Sequence, residues 1–391
     1  MSDRAYFDWN ASAPLRAEAR AAMLAALDVT ATASSIHAEG RGARALVEKA
    51  RAQVASLVGS EARNVTFTSG ATETNMLALA PMLQVAGRRT ACDRLFVSAI
   101  EHSSVLSGGR FAAEQVEKLP VTSDGVVDLH ALRSAIAQAE GPLVSVMLAN
   151  NETGVIQPIR EIAEIVQAAS GVLHVDAVQG AGRIDCNIAA LGADLLTISS
   201  HKLGGPQGAG ALICRSDIHI AEPMIKGGGQ ERGLRAGTES VAAIAGFGAA
   251  AAIAAKQADS SRMASLRDRF EAGLKAAVPE AVIFGAGAPR LPNTTLFAIP
   301  GMKAETAVIA FDLNGIAVSS GSACSSGKVQ PSHVLAAMGV EPLIAQGAVR
   351  VSLGWSTSER EVDNLLSALT KVSSFLLKSH ENSRSKSGLA A

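Results

Sequence analysis

The feature that most restricts this fold is an alternation along the chain. Through the first two thirds, short apolar runs rich in β-branched residues are separated by longer stretches with helical spacing. "NVTFTS" (64–69), "DRLFVSAI" (93–100), "PLVSVMLAN" (142–150), "GVLHVDAV" (171–178), "ADLLTISS" (193–200) and "GALICR" (210–215) have the length and composition of buried strands. "ARALVEKARAQVASLV" and "IREIAEIVQAAS" carry the apolar periodicity of helices. Strands apolar throughout, with helices between them, imply an α/β fold with a mostly parallel sheet covered on both faces. Ligands in such sheets bind beyond the carboxyl ends of the strands. Polar residues gather at those ends here: Asn150 and Asn151, Asp176 and Gln179, and Ser199 to Lys202.

The 391 residues are enough for about two domains, each with its own core. The longest apolar run, Val241 to Ala255, is shorter than the roughly 20 residues a membrane span needs and reads as a buried helix. A charged helical segment follows. It leads into a smaller α+β unit holding "NTTLFAIP", "AETAVIAFDLNGIAVSS", "AVRVSLGW" and a final helix from about Glu359. The last stretch, "HENSRSKSGLAA", reads as a frayed tail. A net charge of -1 gives no reason to expect nucleic acid or a membrane surface as partner. The opening "MSDRAYFDWNASAPL" contains acids and no apolar core, so it does not read as a secretory signal. Four scattered cysteines, without metal-like spacing, suit a reducing compartment. The expectation is a soluble, cytoplasmic protein with no bound metal.

In "TISSHKLGGPQG" (197–208), Lys202 follows a buried strand and precedes a glycine-rich turn. Alone it would read as a strand-end lysine reaching solvent. Buried in a cleft, its lowered pKa would make it a nucleophile or base. "HVDAVQG" puts Asp176 at the end of another strand, where a buried carboxylate needs a cationic or hydrogen-bonding partner. A lysine and such an acid are what a pyridoxal phosphate site requires. In "FTSGATETN" a strand ends at Ser69, and Gly70-Ala71-Thr72 opens a helix whose N–H groups, with the Thr72 hydroxyl, suit a phosphate. His102, in "AIEHSSV", sits where an imidazole could stack on a flat ring. Arg350, in "VRVSLGW", offers a two-pronged grip for a carboxylate. Cys324 lies among serines and glycines in "SSGSACSSGK" with no histidine or acid close by, a setting that suits a swinging thiol. Cys92, Cys186 and Cys214 lie on or beside strands and read as core filler.

Together these motifs, with "NNETGVIQPI", "GGGQERGLRAGT" and "PSHVL", resemble the pyridoxal-phosphate-dependent cysteine desulfurases of the class V aminotransferases. The similar branch is that of nitrogen fixation and iron–sulfur-cluster assembly. The motifs run in family order from about residue 6 to 355. The resemblance implies a fold type I transferase. Its large domain, 14–255, would hold a mostly parallel seven-stranded sheet. Residues 1–13 and 256–391 would form the smaller domain carrying the catalytic cysteine.

By the same resemblance, Lys202 would carry the cofactor covalently. Ala71 and Thr72, helped by Ser199 and His201, would bind its phosphate. His102 would stack on its ring, Asp176 would pair with the ring nitrogen, and Gln179 would touch the phenolic oxygen. Asn151 and Arg350 would hold the substrate carboxylate. Thr238 would reach the phosphate of a neighbouring subunit, which implies a homodimer. The substrate would be L-cysteine and one product L-alanine. Sulfur would pass to Cys324 as a persulfide and then to an acceptor or scaffold protein. Where the family has Gly-Asn-Pro, this chain has Ala31, Thr32 and Ala33. Selenocysteine as substrate, plain transamination, a non-catalytic sulfur carrier, and a hydrolase pairing Cys324 with His333 are the rival readings. Transamination has no use for a loop thiol, and the hydrolase lacks an orienting acid.

Overall fold

The computed structural model describes residues 4–256, 260–321 and 331–387. Among these, seven strands form one sheet in the spatial order Val65–Thr68, Gly210–Cys214, Leu195–Ser199, Val172–Asp176, Leu143–Met147, Leu95–Ser98 and Val116–Leu119. Gly210–Cys214 runs antiparallel to both its neighbours, and the other pairings are parallel. Every residue of the six strands expected from the sequence is buried. The seventh, Val116–Leu119, is the half-buried edge, and its "VEKL" gives no apolar run to betray it.

The helices Ala17–Leu27 and Ala38–Leu57 pack on Val241–Ala254, the alanine- and glycine-rich stretch expected to be buried. A Cβ on Gly248 would stand 2.5 Å from the Ala50 Cα, so this crossing needs a glycine. The departure at Ala31–Ala33 is held locally. Arg44 Nε donates to the Ala33 carbonyl at 2.8 Å, and Ser35 N to that of Thr32 at 3.2 Å.

A second, antiparallel sheet joins Val282–Ile283, Thr294–Ala298, Val349–Ser352 and Ser319–Ser320. The N-terminal strand Ala5–Tyr6 pairs in parallel with Ile316–Ala317, and Phe7 is buried in the core formed beneath Ser260–Ala277 and the C-terminal helix. That helix runs Glu359–Ser387 and so takes in most of the stretch read as a tail. Residues 359–387 contain neither proline nor glycine, and nothing in the sequence stops the helix before Gly388. A small three-stranded sheet, Ile218–Ile220, Met82–Val85 and Arg88–Ala91, was not expected from the sequence. No helix among the described residues is long and apolar enough to cross a membrane.

Candidate active site

The strand Leu195–Ser199 ends in one 3₁₀ turn, Ser200–Lys202. The strand beside it, Val172–Asp176, pairs in register with Asp176 opposite Thr197. Amine and acid therefore leave adjacent strand ends at the carboxyl edge of the sheet. Both face a cavity of about 440 Å³. Ala71, Thr72, His102, Asn151, Gln179, Ser199, His201 and Arg350 line the same space. Residues far apart in sequence thus meet where an open α/β sheet binds its ligands.

Lys202 Nζ donates to the backbone carbonyls of Asn10, at 2.6 Å, and Ala11, at 2.8 Å. Burial, followed by the positive charges of Arg350 and Arg183, lowers its pKa to about 7. A sizeable fraction of the amine is then uncharged and nucleophilic at neutral pH. Burial likewise pushes the Asp176 carboxyl upward, while Asn75 Nδ2 at 2.9 Å and Val178 N at 3.0 Å stabilise its charged form.

Asn75 also donates to Ser104 Oγ at 3.0 Å, and Ser104 N donates to His102 Nδ1 at 3.2 Å. Because Nδ1 accepts there, the proton of the neutral ring sits on Nε2. A short relay therefore runs from Asp176 through Asn75 and Ser104 to His102. The sequence reading missed both links. Their signal was available: Asn75 lies one helical turn beyond Ala71 and Thr72, on the same face.

Gly70, at φ 156°, caps the helix Ala71–Ala78 and turns the chain out of Val65–Thr68. A Cβ on Gly210 of the adjacent strand would stand 2.6 Å from the Gly70 carbonyl carbon, so glycine is needed at 210 for space and is favoured at 70 by its φ. The opening turn of this helix leaves N–H groups without intrahelical partners at the cavity wall. Together with Thr72, these make an anion cradle. His201 Nδ1 lies 3.3 Å from Ser12 Oγ, and burial, then Lys202 and Arg183, lowers the ring's pKa to about 4.

Arg350 is 1% exposed. It donates through Nη2 to Asp8 Oδ1 at 2.6 Å and through Nη1 to the Asn151 carbonyl at 2.9 Å. Its Nε is buried with no partner among the described residues. Gln179 Nε2 donates to the Asn10 carbonyl at 3.0 Å, while its Oε1 accepts from Arg183 Nη1. Behind Lys202, Trp9 and Trp355 meet edge to face at 4.6 Å, and the Arg16 guanidinium lies 3.6 Å from the Trp355 ring centre. Asp8, Asn10, Ala11 and Arg183 belong to the site without any motif that marks them.

One expected residue stands apart from this cavity. Thr238 lines a separate one of about 170 Å³, which shares Ser69 and Gly208 with the first. Cys324 lies outside the described residues. Its segment leaves from Ser319–Ser320, with Ser319 paired to Arg350, and returns at Pro331. Next, Ser332 caps the helix His333–Ala337 and donates to the buried Glu152 carboxylate at 2.6 Å. His333 Nε2 lies 2.9 Å from the Glu101 carbonyl. The other three cysteines are free and buried, although Cys186 lies in the turn before Ile188–Leu191 rather than on a strand. Burial raises all three thiols, Cys92 and Cys214 to about 12.

Residues 5–365 match the model of the aminotransferase class-V family. The chain belongs to that family. Among its relatives is the cysteine desulfurase IscS 1 of Archaeoglobus fulgidus, 40% identical over 94% of this chain and 96% of that one. A cysteine desulfurase of Cereibacter sphaeroides is 39% identical over 95% and 96% of the two chains. In structure, the NifS-like protein of Rickettsia africae is similar with a TM-score of 0.86 and 38% identity, covering 95% of this chain and 99% of that chain. SspA, solved in complex with cysteine, is similar at 0.74 and 27% identity, over 89% and 98%. Within the class-V family the chain groups with the cysteine desulfurases.

Proposed function

We propose that this protein is a cysteine desulfurase that uses pyridoxal 5'-phosphate to take sulfur from L-cysteine. L-alanine is released, and the sulfur becomes a persulfide on Cys324. The observation that carries the reading is the pairing of Lys202 with Asp176 on adjacent strand ends in one cavity. The residues present fit the cofactor. A partly uncharged amine is available to an aldehyde, a fixed carboxylate to a ring nitrogen, and a helix start with a hydroxyl to a phosphate. When bound, the cofactor supplies an electron sink that makes the Cα–H and Cβ–S bonds of cysteine labile.

Everything else is done by side chains. Lys202 would carry the cofactor and serve as the base that takes the Cα proton and returns one, a task matched to a pKa of about 7. Arg350, fixed by Asp8 on Nη2 and lining the cavity with Asn151, would hold the substrate carboxylate there. His102, which lines the cavity with its Nδ1 held by Ser104, would stack on the cofactor's ring. The Cys324 thiolate attacks the substrate sulfur, so that one S–S bond forms as the C–S bond breaks. Cysteine and the enzyme thiol become alanine and enzyme persulfide, with no oxidant or reductant consumed. An acceptor protein for iron–sulfur or other sulfur-containing cofactor assembly then takes the outer sulfur.

In this reading residues 14–255 form the large domain, and 1–13 with 256–391 the smaller one. Thr238 serves the phosphate of the neighbouring subunit in a cytoplasmic homodimer. The test is a spectrum followed by an assay. The purified protein should be yellow, bleach with borohydride and carry the fixed label on Lys202. Alanine should form in step with sulfide. Cys324→Ala should stay yellow and lose sulfide release. Colourless protein that remains so with added cofactor would overturn the reading, and unchanged sulfide release by Cys324→Ala would overturn the role of that thiol.

A further inference from the structure

Arg183 is a buried cation whose hydrogen bonds all run to neutral oxygens. It lies beyond Asp176, after the turn Gly180–Gly182, and is 8% exposed. Its Nη1 donates to the Gln179 carbonyl at 2.9 Å and to Gln179 Oε1, and its Nη2 donates to the Trp9 carbonyl at 3.3 Å. Burying an unpaired guanidinium is costly, and an apolar side chain of similar size would ordinarily stabilise the fold more. Such a cost retained beside a reactive amine points to the amine.

We propose that Arg183 is a positioning residue that holds an uncompensated positive charge beside Lys202 and grips Gln179. A guanidinium only donates, so Gln179 must give it Oε1 and keep its NH₂ for the Asn10 carbonyl and the cavity. The same Asn10 carbonyl accepts from Lys202, so the grip reaches the amine through one shared atom.

The charges facing Lys202 are Arg350, Arg183, Asp8, Asp176, His102 and His201. Arg350 is tied to Asp8, which offsets it. Burial pushes both histidines toward the neutral form, and Asp176 is engaged by Asn75 and Val178. Facing Arg183 itself are Arg350, Lys202, His201 and the Cys186 thiol, which burial raises. None of these supplies a negative charge at neutral pH, so no partner neutralises Arg183, whose charge acts on the amine against those of Asp8 and Asp176. The Arg183 charge favours the uncharged, nucleophilic form.

This inference rests on Lys202 being the group that carries the cofactor. The test is the pH midpoint of the cofactor's visible band in the holoenzyme, read for wild type, Arg183→Met, Arg183→Gln and Arg183→Lys. With the charge removed, the midpoint of the methionine and glutamine variants should rise by about one pH unit. With the charge kept, the lysine variant should stay at the wild-type value. An unmoved midpoint in a cofactor-loaded methionine or glutamine variant overturns the proposal, as does a lysine variant that shifts as far as they do. If only the lysine variant folds, the charge is structural and the proposal is wrong. A wild-type protein that never colours refutes the cofactor reading itself, and that arm is read separately.

Discussion

The reactivity of this site is set by what surrounds single side chains. Lys202 is a strand-end lysine by position and a poised amine by environment, because burial and the charges of two buried arginines disfavour its ammonium form. Asn75 has a comparable influence on two residues at once, fixing the Asp176 carboxylate and, through Ser104, the tautomer of His102. Asn75→Ala should therefore weaken cofactor binding about ten-fold, the worth of roughly one buried hydrogen bond to a charged group. Equilibrium dialysis against pyridoxal phosphate reads this directly, and unaltered affinity would remove Asn75 from the site. Five residues picked out by sequence motifs, Lys202, Asp176, His102, Thr72 and Arg350, line one cavity. Those that act through a carbonyl, Asn10 and Ala11, were not legible in the sequence, because every residue type carries one and no pattern marks which will be used.

At the scale of elements, helix packing depends on how closely backbones approach. Val241–Ala254 can lie against Ala38–Leu57 because Gly248 brings no Cβ to the Ala50 Cα, 2.5 Å from where that atom would stand. Alanine is the better helix former by about 1 kcal/mol. Crowding against backbone should nonetheless outweigh that gain, leaving Gly248→Ala destabilised by about 1–3 kcal/mol. Thermal unfolding of the variant beside wild type measures it, and an unchanged or raised Tm would contradict this account of the crossing.

The six fully buried strands were readable because burial on both faces makes them largely apolar. The edge strand Val116–Leu119 and the hairpin Met82–Val85 with Arg88–Ala91 escaped notice because half-exposed strands mix polar and apolar residues without a clean period. The C-terminal helix shows the reverse error. Its last turns were read as loose from their polarity, yet the helix continues through them to Ser387.

For the molecule as a whole, buried acids couple the fold to pH. Glu101 is fully buried, accepting from Ser98 Oγ at 2.5 Å and Met147 N at 2.7 Å, and burial raises its pKa from 4.5 to about 8. Glu152, linked to Ser332 across the two parts of the chain, is raised to about 7. A carboxyl that holds its proton more tightly when folded favours the folded state below its unfolded pKa. That contribution is lost as pH rises through the folded value. The contribution of these two carboxyls should therefore fall as pH rises from about 5 to about 8, against the opposite contributions of Lys202 and His201, whose lowered values favour the folded state as pH rises. Glu101→Gln should remove the Glu101 part, so the stability of wild type relative to the variant should decline through this range. Urea unfolding of both proteins at several pH values checks the sign, and a difference that grows in favour of wild type with rising pH would refute it.

The chain has two tryptophans, and both lie against the wall behind Lys202. Indole emission from this protein accordingly reports on a single place. Any chromophore arriving on the far side of that lysine will take up the excited-state energy, so loading and release can be followed in real time without attaching a dye.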